Sequence, residues 1–563
     1  VAAPRFSILT PVYETPADVL REMLASVRRQ SYGDWELCLV DDGSQGPHVR
    51  AILDQASRRD PRIRVTYRET NGGIVPTSNE ALALAEGEFV ALLDHDDTLH
   101  PDALAHVAEA LDATPEADYV YTDEDKIDLS GRHSSPFFKP DWSPERMRTQ
   151  MYSCHLSVLR RSLVEEVGGF DPAFEGSQDW DLVLKVSERA RAVLHVPRVL
   201  YHWRMLESSA AASGEAKPYA AEAGVRAVQA HCDRIGLEAR VELDPADPGI
   251  LHLEPALQEE PLVSIVIPTG GHWREIRFEQ VVLVVNCVRS IVERSTYGNY
   301  EIVCVVDAGT DPAILDELRE IAGERLRLVE FSGPFDFSAK INRGAVRSAG
   351  EHLLLLNDDI EVTTPNWIER MVMYSAQAGI GAVGGRLLWG DTRIQHAGVS
   401  YEGALPHHHY RGFSGSFRGY ANAVLIARDC LTVTAACLMT RRDVFERLGG
   451  FTSTFPINFN DVDYCLKAHV DGLRIAYDPD LVMYHFESSS RDAKVERWEV
   501  EQLLDRWAHV TAVDPFVNPH TRNGLPRVSS QLSWRKRRLP RPRRVTATKP
   551  ARAAAASTIA SGE

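Results

Sequence analysis

A chain of 563 residues is too long for one hydrophobic core and reads as two or three domains. Its 62 basic and 80 acidic side chains leave a net charge of −18, which argues against nucleic acid as the main partner. Hydrophobic content of 44% and charged content of 25% are those of a soluble globular protein, and no apolar run reaches the ~18–20 residues of a membrane span.

The first strand is expected by Phe6, with no signal peptide before it. Short β-rich runs follow at Ile8–Thr10, Leu37–Val40, Ile63–Tyr67 and Phe89–Leu93. Between them, Val19–Gln30 and Val49–Arg59 carry apolar residues at helical spacing. Such alternation predicts an α/β fold with a mainly parallel sheet and helices on both faces, and ligands beyond the carboxyl ends of the strands. Cys38 and Cys304 lie inside apolar runs, and the eight cysteines form no C-x-x-C pair. A reducing, cytoplasmic compartment is expected, with no disulfide framework and no zinc site.

The chain then repeats itself. "SILTP" at 7–11 returns as "SIVIP" at 264–268, and "WELCLVDDGS" at 35–44 as "YEIVCVVDAGT" at 300–310. Asn79 precedes Asp94 by 15 residues, as Asn342 precedes Asn357. "RRSLVEEVGGFDPAF" at 160–174 returns as "RRDVFERLGGFTSTF" at 441–455, "QDWDLVLK" as "NDVDYCLK", and "YHW" at 201–203 as "YHF" at 484–486. Two copies of one domain are therefore expected, 1–205 and 261–510. A linker, 206–260, holds a small-residue stretch, a helix from about Tyr219 to Ile235 and an acidic proline-containing run. An extension, 511–563, ends in a disordered tail.

Asp94-His95-Asp96-Asp97 crowds charge at the end of a core strand. One reading is a polar turn before a helix. The other is a divalent cation held by carboxylates and phosphate oxygens. Asp41 and Asp42 end the second strand and face the same crevice, where they can accept hydrogen bonds from a ribose or a base. Asp179 and Asp181 begin a helix, either as carboxylates favoured at its N-terminus or with a general base among them. His202 follows Asp179 by 23 residues and His485 follows Asp461 by 24. That recurrence favours a third metal ligand over a structural histidine.

Both halves resemble inverting glycosyltransferases of family 2, with the GT-A fold. The resemblance rests on the strand-end pair Asp41/Asp42, the D-x-D pattern Asp94/Asp96, the "GGF" loop and the aspartate at Asp179. It implies catalytic bases at Asp179 and Asp461, and nucleotide-sugar contacts at Thr10, Pro11, Tyr13, Asp41, Asp42, Asp94, Pro268, Asp307 and Asn357. It implies Mg2+ or Mn2+ bound by Asp94, Asp96 and His202 in the first copy and by Asp359 and His485 in the second. Asn357 departs from the first acid of D-x-D, Gln178 and Asn460 replace the usual Glu before the base, and Asp307 matches either Asp41 or Asp42.

"FDFSAKINRGA", "LLLLNDDIEV", "IQHAG" and "YHFESSSR" are similar to transferases that build bacterial cell-surface polysaccharides, rhamnosyl- and galactofuranosyl-type enzymes among them. The expected reaction moves a sugar from a nucleotide-diphosphate donor to a glycan or lipid-linked glycan, at two active sites. The alternative is that the second copy, with Asn357, is a glycan-binding or scaffolding module. A sugar-nucleotidyltransferase would need a glycine-rich basic loop after the first strand, and "TPVYETPADV" has none. "LPHHHY" at 405–410 reads as an acceptor-binding or solvated loop, in a segment that makes Asn357 to Asp461 104 residues long against 85 from Asp94 to Asp179. The seven basic side chains of Arg535–Arg544 read as a solvated end or as a peripheral contact with an anionic membrane face.

Overall fold

The computed structural model describes residues 3–206, 218–486, 495–522, 524–527 and 545–546. The small-residue run 207–216 and the basic run 535–544 lie outside them. In the first unit the strands run, from one edge, Ile63–Tyr67, Trp35–Asp41, Phe6–Val12, Phe89–Leu92, Ser157–Arg160, Ala117–Ile127 and Ala192–Arg204. The second unit repeats this order with Leu326–Phe331, Tyr300–Asp307, Val263–Thr269, His352–Leu356, Cys437–Arg441, Ile380–Leu388 and Arg474–His485. The first four strands of each sheet are parallel, and the fifth runs against both neighbours. Each unit's first strand lies between its second and fourth. The chain thus reverses direction across the sheet there, and a crevice opens at the carboxyl ends.

Strand alternation builds both cores. Ile8, Leu37 and Leu39 face the helices Ala17–Arg28 and Pro47–Arg59, whereas Leu9, Cys38 and Val40 face Ile74–Leu84. All six side chains are buried.

Several repeated residues hold the fold rather than a ligand. Ser7 Oγ donates to Glu36 Oε1 (2.6 Å) and accepts from the Gly87 amide (2.8 Å); Ser264 does the same with Glu301 (2.7 Å) and Gly350 (2.7 Å). Asn342 donates to the Phe451 carbonyl and accepts from its amide, both at 2.8 Å, as Asn79 does with Phe170 at 2.8 and 2.9 Å. The glycines of "GGF" all take positive φ, from 62° to 91°. A Cβ on Gly450 would meet Asn342 Oδ1 at 2.5 Å, and one on Gly169 would meet Asn79 Oδ1 at 2.7 Å. Two glycines and one asparagine are the residues this clamp requires. Asn342→Ala leaves the Phe451 backbone groups unpaired and should cost about 2 kcal/mol, read as a lowered urea midpoint. No shift would mean that the clamp is dispensable.

The units are joined by more than a linker. Helix Pro218–Ile235 packs on Gln178–Ser187, with Gly224 against the Trp180 ring, and the hairpin Ala239–Leu243/Leu251–Pro255 follows. Ser143 Oγ caps helix Pro144–Thr149 and donates to Asp429 of the second unit at 2.7 Å. Buried Glu145 pairs with Arg148 of its own helix and with Arg474 across the boundary, and Arg474 also meets Asp429. Residues beyond Asp514 return to the first unit, where Asn518 Nδ2 donates to the Lys139 carbonyl at 2.8 Å and His520 packs on Phe138.

Candidate active site

In the second unit the strand His352–Leu356 delivers Asn357, Asp358 and Asp359 to the crevice. Strand Ile360–Val362 then pairs antiparallel with Arg474–His485, with Ile360 opposite His485. This register sets the imidazole among the strand-end acids. His485 Nε2 lies 3.0 Å from Asp359 Oδ1 and 3.2 Å from Asn357 Nδ2, while Nδ1 meets Gln395 Oε1 at 2.6 Å. Asn357 Oδ1 is buried with no hydrogen-bond partner among the described residues. Burial, and then Asp359 beside it, pushes Asp358 up to about 7; Thr269 Oγ1 donates to it at 2.6 Å. An asparagine amide, a carboxylate and an imidazole gathered at the strand ends suit a divalent cation that accepts oxygen and nitrogen ligands.

Helix Asn460–Val470 opens on the same cleft. Asp461 in its first turn accepts from the Val462 amide (2.8 Å) through Oδ1 and from the Ala435 amide (3.1 Å) through Oδ2. Two backbone donors fix that carboxylate, and each oxygen keeps a lone pair. Asp463 is different: it is buried and accepts from Trp507 Nε1 at 2.9 Å. Asp181, its counterpart, is buried against Lys185 at 2.6 Å. The second acid of each helix start is therefore structural.

The cleft measures about 470 Å³ and includes Pro268, Asn357, Asp359, Asp461 and His485. Strand register resolves Asp307. Ser7 lies opposite Glu36 and Ser264 opposite Glu301, so Asp307 corresponds to Asp42 and Val306 to Asp41. Asp307 is paired at 2.5 Å with buried Lys340, which also donates to the Thr269 carbonyl.

The first unit gathers a different set. Asp94, Pro11, Gln178 and Asp179 line a cavity of about 120 Å³ with Cys154 and His155. His155 Nε2 is 3.9 Å from Asp94, its Nδ1 is 3.1 Å from Glu124, and its ring stacks on Tyr201. Burial opposes charge on His155, but Glu124, Asp94 and Asp97 overcome it and hold the imidazolium up to about 9. Burial also raises Asp179 and Asp94, with His155 opposing it at both. Asp97 accepts from Tyr201 Oη and the Arg204 amide, both at 2.6 Å, so it is a structural acid. Arg204 Nε donates to the Asp96 carbonyl at 2.8 Å.

His202, expected beside Asp94 and Asp96, is not there. Its Nδ1 lies 2.6 Å from Asp125, which also meets His133 at 3.0 Å. The cause is a one-residue slip. Thr98 pairs with His202, so Asp97 falls opposite Trp203, whereas its counterpart Ile360 falls opposite His485. A slip of one residue turns a strand's side chains to the other face.

The other expected donor contacts divide. Asp42 is buried, accepting from the Gly72 and Gly73 amides, each at 2.9 Å, and pairing with Arg68. It holds the chain's own loop. Asp41 keeps a buried oxygen, and Thr10 a buried hydroxyl, with no hydrogen-bond partner among the described residues. Tyr13 is exposed. His155, Lys340 and Gln395 were missed. Lys340 could have been found as a place where the copies differ, since Thr77 occupies its position in the first.

The Glycosyl transferase family 2 profile matches residues 7–168, and the Glycosyltransferase like family 2 profile matches residues 261–509. Protein y4gI of Sinorhizobium fredii is 40% identical over 92% of this chain and 57% of its own length. O-antigen biosynthesis protein RfbC of Myxococcus xanthus is 36% identical over 92% of this chain and 40% of its own. The chain thus spans about half the length of these relatives. A PGL/p-HBAD biosynthesis glycosyltransferase of Mycobacterium bovis is 31% identical over 33% of this chain and 70% of its own length. With a family match on each unit and the same strand order in both, the chain belongs to glycosyltransferase family 2, as two GT-A units in tandem.

Proposed function

We propose that this chain transfers a sugar from a nucleotide-diphosphate donor to a hydroxyl of a growing cell-surface glycan, by metal-dependent, inverting chemistry. One observation carries the reading: Asp461 shares a cleft with Asn357, Asp359 and His485. The O-antigen relative supports a surface glycan as acceptor. Asn357 Oδ1, Asp359 and His485 would hold Mg2+ or Mn2+, which when bound offsets charge on the leaving diphosphate. Asp307, held by Lys340, would accept hydrogen bonds from a ribose or a base.

Asp461 takes the proton of the acceptor hydroxyl as that oxygen attacks the anomeric carbon. The new bond forms on the face opposite the diphosphate, whose bond to carbon breaks, and the configuration inverts. Holding donor and acceptor together in the cleft supplies much of the acceleration.

The first unit, with Asp94, Asp96 and Asp179, supports a second transfer step. Its smaller cavity and the displaced His202 favour the other reading, a glycan-binding or scaffolding role. That role was expected from Asn357 to fall to the second unit. The test of the main reading is to incubate the full chain with a panel of UDP-, GDP- and dTDP-sugars, Mn2+ and a lipid-linked glycan extract. Release of the nucleoside diphosphate with an inverted glycosidic bond, read by NMR, is expected. No turnover of any donor, or retention of configuration, would overturn it.

A further inference from the structure

Three side chains that the proposed chemistry does not use meet at one end of three neighbouring strands of the first unit. Asp125 lies near the end of Ala117–Ile127, His133 opens His133–Phe137, and His202 lies near the end of Ala192–Arg204. His202 Nδ1 is 2.6 Å from Asp125 Oδ1, and His133 Nδ1 is 3.0 Å from Asp125 Oδ2. One ligand atom from each residue lies within 4.8 Å of the other two. The two rings stand at 78° with centroids 4.5 Å apart, so both turn the same nitrogen to one carboxylate without stacking. Asp125 and His202 are buried, whereas 30% of the His133 side chain is exposed.

The cluster is separate from the donor crevice. Successive residues of a strand face opposite sides of the sheet. Glu124 and Tyr201 are paired in register and both meet His155, Glu124 at 3.1 Å and Tyr201 by stacking. Asp125 and His202, the next pair, face away from it. The cluster is also built in one copy only. Val120 lies opposite Val158 and Val383 opposite Met439, and each of these partners stands two residues before the repeated Arg-Arg pair. Five residues further on, Leu388 therefore holds the position of Asp125. A shift in pairing between Asp123 and Glu124 sets His202 opposite Asp125, while Leu388 lies opposite Tyr484. The slip that takes His202 off the strand-end acids thus delivers it to a carboxylate that the second unit lacks at this position.

We propose that Asp125, His133 and His202 bind a divalent transition metal, with Zn2+ the best fit, as a structural clamp. Two imidazoles and a carboxylate are a donor set that Zn2+ accepts, at about 2.0–2.2 Å and with a fourth position for water. Such bonds set neighbouring donors about 3.3 Å apart, so the three groups open by less than about 1 Å as the ion enters. Each neutral ring then carries its proton on Nε2. The exposed side of His133 gives the ion its way in. The clamp ties the hairpin Ala117–Ile127/His133–Phe137 to the strand that ends in Arg204, which holds Asp97 and the Asp96 carbonyl. The expectation of no zinc site rested on cysteine spacing, and this donor set contains no cysteine.

Zn2+ binding to the full chain tests it, after stripping with chelator and in excess Mg2+ to occupy the oxygen-rich donor sites. Calorimetric titration and metal analysis after gel filtration should show about one equivalent of bound zinc per chain, and the ion should raise the melting temperature. His133→Ala, on a partly exposed strand, and His202→Asn should each lose the bound zinc and the melting shift. His133→Cys, which returns a zinc ligand at that position, should regain both, as a merely unfolded variant would not. Asp359→Ala and Asp94→Ala, in the two donor cavities, should keep both. No bound zinc, or zinc kept by His133→Ala and His202→Asn alike, would overturn the clamp. So would zinc lost only with Asp359→Ala or Asp94→Ala, which would assign the ion to a donor site.

Discussion

Asp461→Asn is expected to lower transfer by the second unit about a thousandfold, the usual scale for removing a general base. The amide keeps the shape of the carboxylate, but it cannot take the acceptor's proton. The two amides that now donate to Asp461, from Val462 and Ala435, would face a side chain with only one acceptor oxygen. The effect should fall on kcat, with the KM for the sugar nucleotide little changed, because Asp461 is assigned to the acceptor hydroxyl. Asp179→Asn gives the matching measurement on the first unit. Product mass and linkage from each variant separate the readings. Loss of one product from each means two active sites. Loss of all transfer with Asp461→Asn, and none with Asp179→Asn, assigns the first unit a binding role. Unaltered kcat in the Asp179→Asn, Asp461→Asn double variant would remove both residues from the mechanism.

The internal repeat made most of the fold legible. Copies aligned in order must share strand order, and Ser7/Ser264, Asn79/Asn342 and the "GGF" loops make the same bonds in each. Those bonds also show what sequence recurrence cannot separate. A residue repeats when it clamps the fold just as it does when it touches substrate, and Asp42 has the first kind of role. The cluster Asp94–Asp97 illustrates the rest. Its charge reads as a demand for a cation, and the cation beside it in this structure is the His155 imidazolium, supplied from the segment just before strand Ser157–Arg160, more than fifty residues away. Asp97 in the same cluster is spoken for by Tyr201 and Arg204. Pairing across a sheet decides such partners, and spacing along the chain carries no record of it. The histidine offsets of 23 and 24 residues did carry a record. A difference of one in a strand is a change of face, so the near-equality that suggested one role for His202 and His485 was the sign of two.

Chelation, or Asp359→Ala, is expected to lower transfer by the second unit about a thousandfold, since a bound divalent cation supplies several kcal/mol to a developing diphosphate charge. His485 should matter through metal affinity, and so should Gln395, which touches neither cleft acid in the contacts described. Gln395 Oε1 fixes His485 Nδ1 at 2.6 Å, setting the tautomer that leaves Nε2 toward Asp359 and Asn357. Removing such an orienting partner costs roughly 10–100-fold in metal affinity. Gln395→Ala should therefore raise the Mn2+ concentration needed for half activity by that factor, with the maximal rate recovered at saturating Mn2+. Electron paramagnetic resonance of free Mn2+ gives the same shift without turnover. His202→Asn supplies the contrast, because the slipped register sets that ring against Asp125 and His133. It should leave the Mn2+ concentration needed for half activity of the second unit as it was. If His202→Asn raised the Mn2+ requirement of transfer while Gln395→Ala did not, the catalytic metal would belong to the first unit and its assignment to His485 would fail.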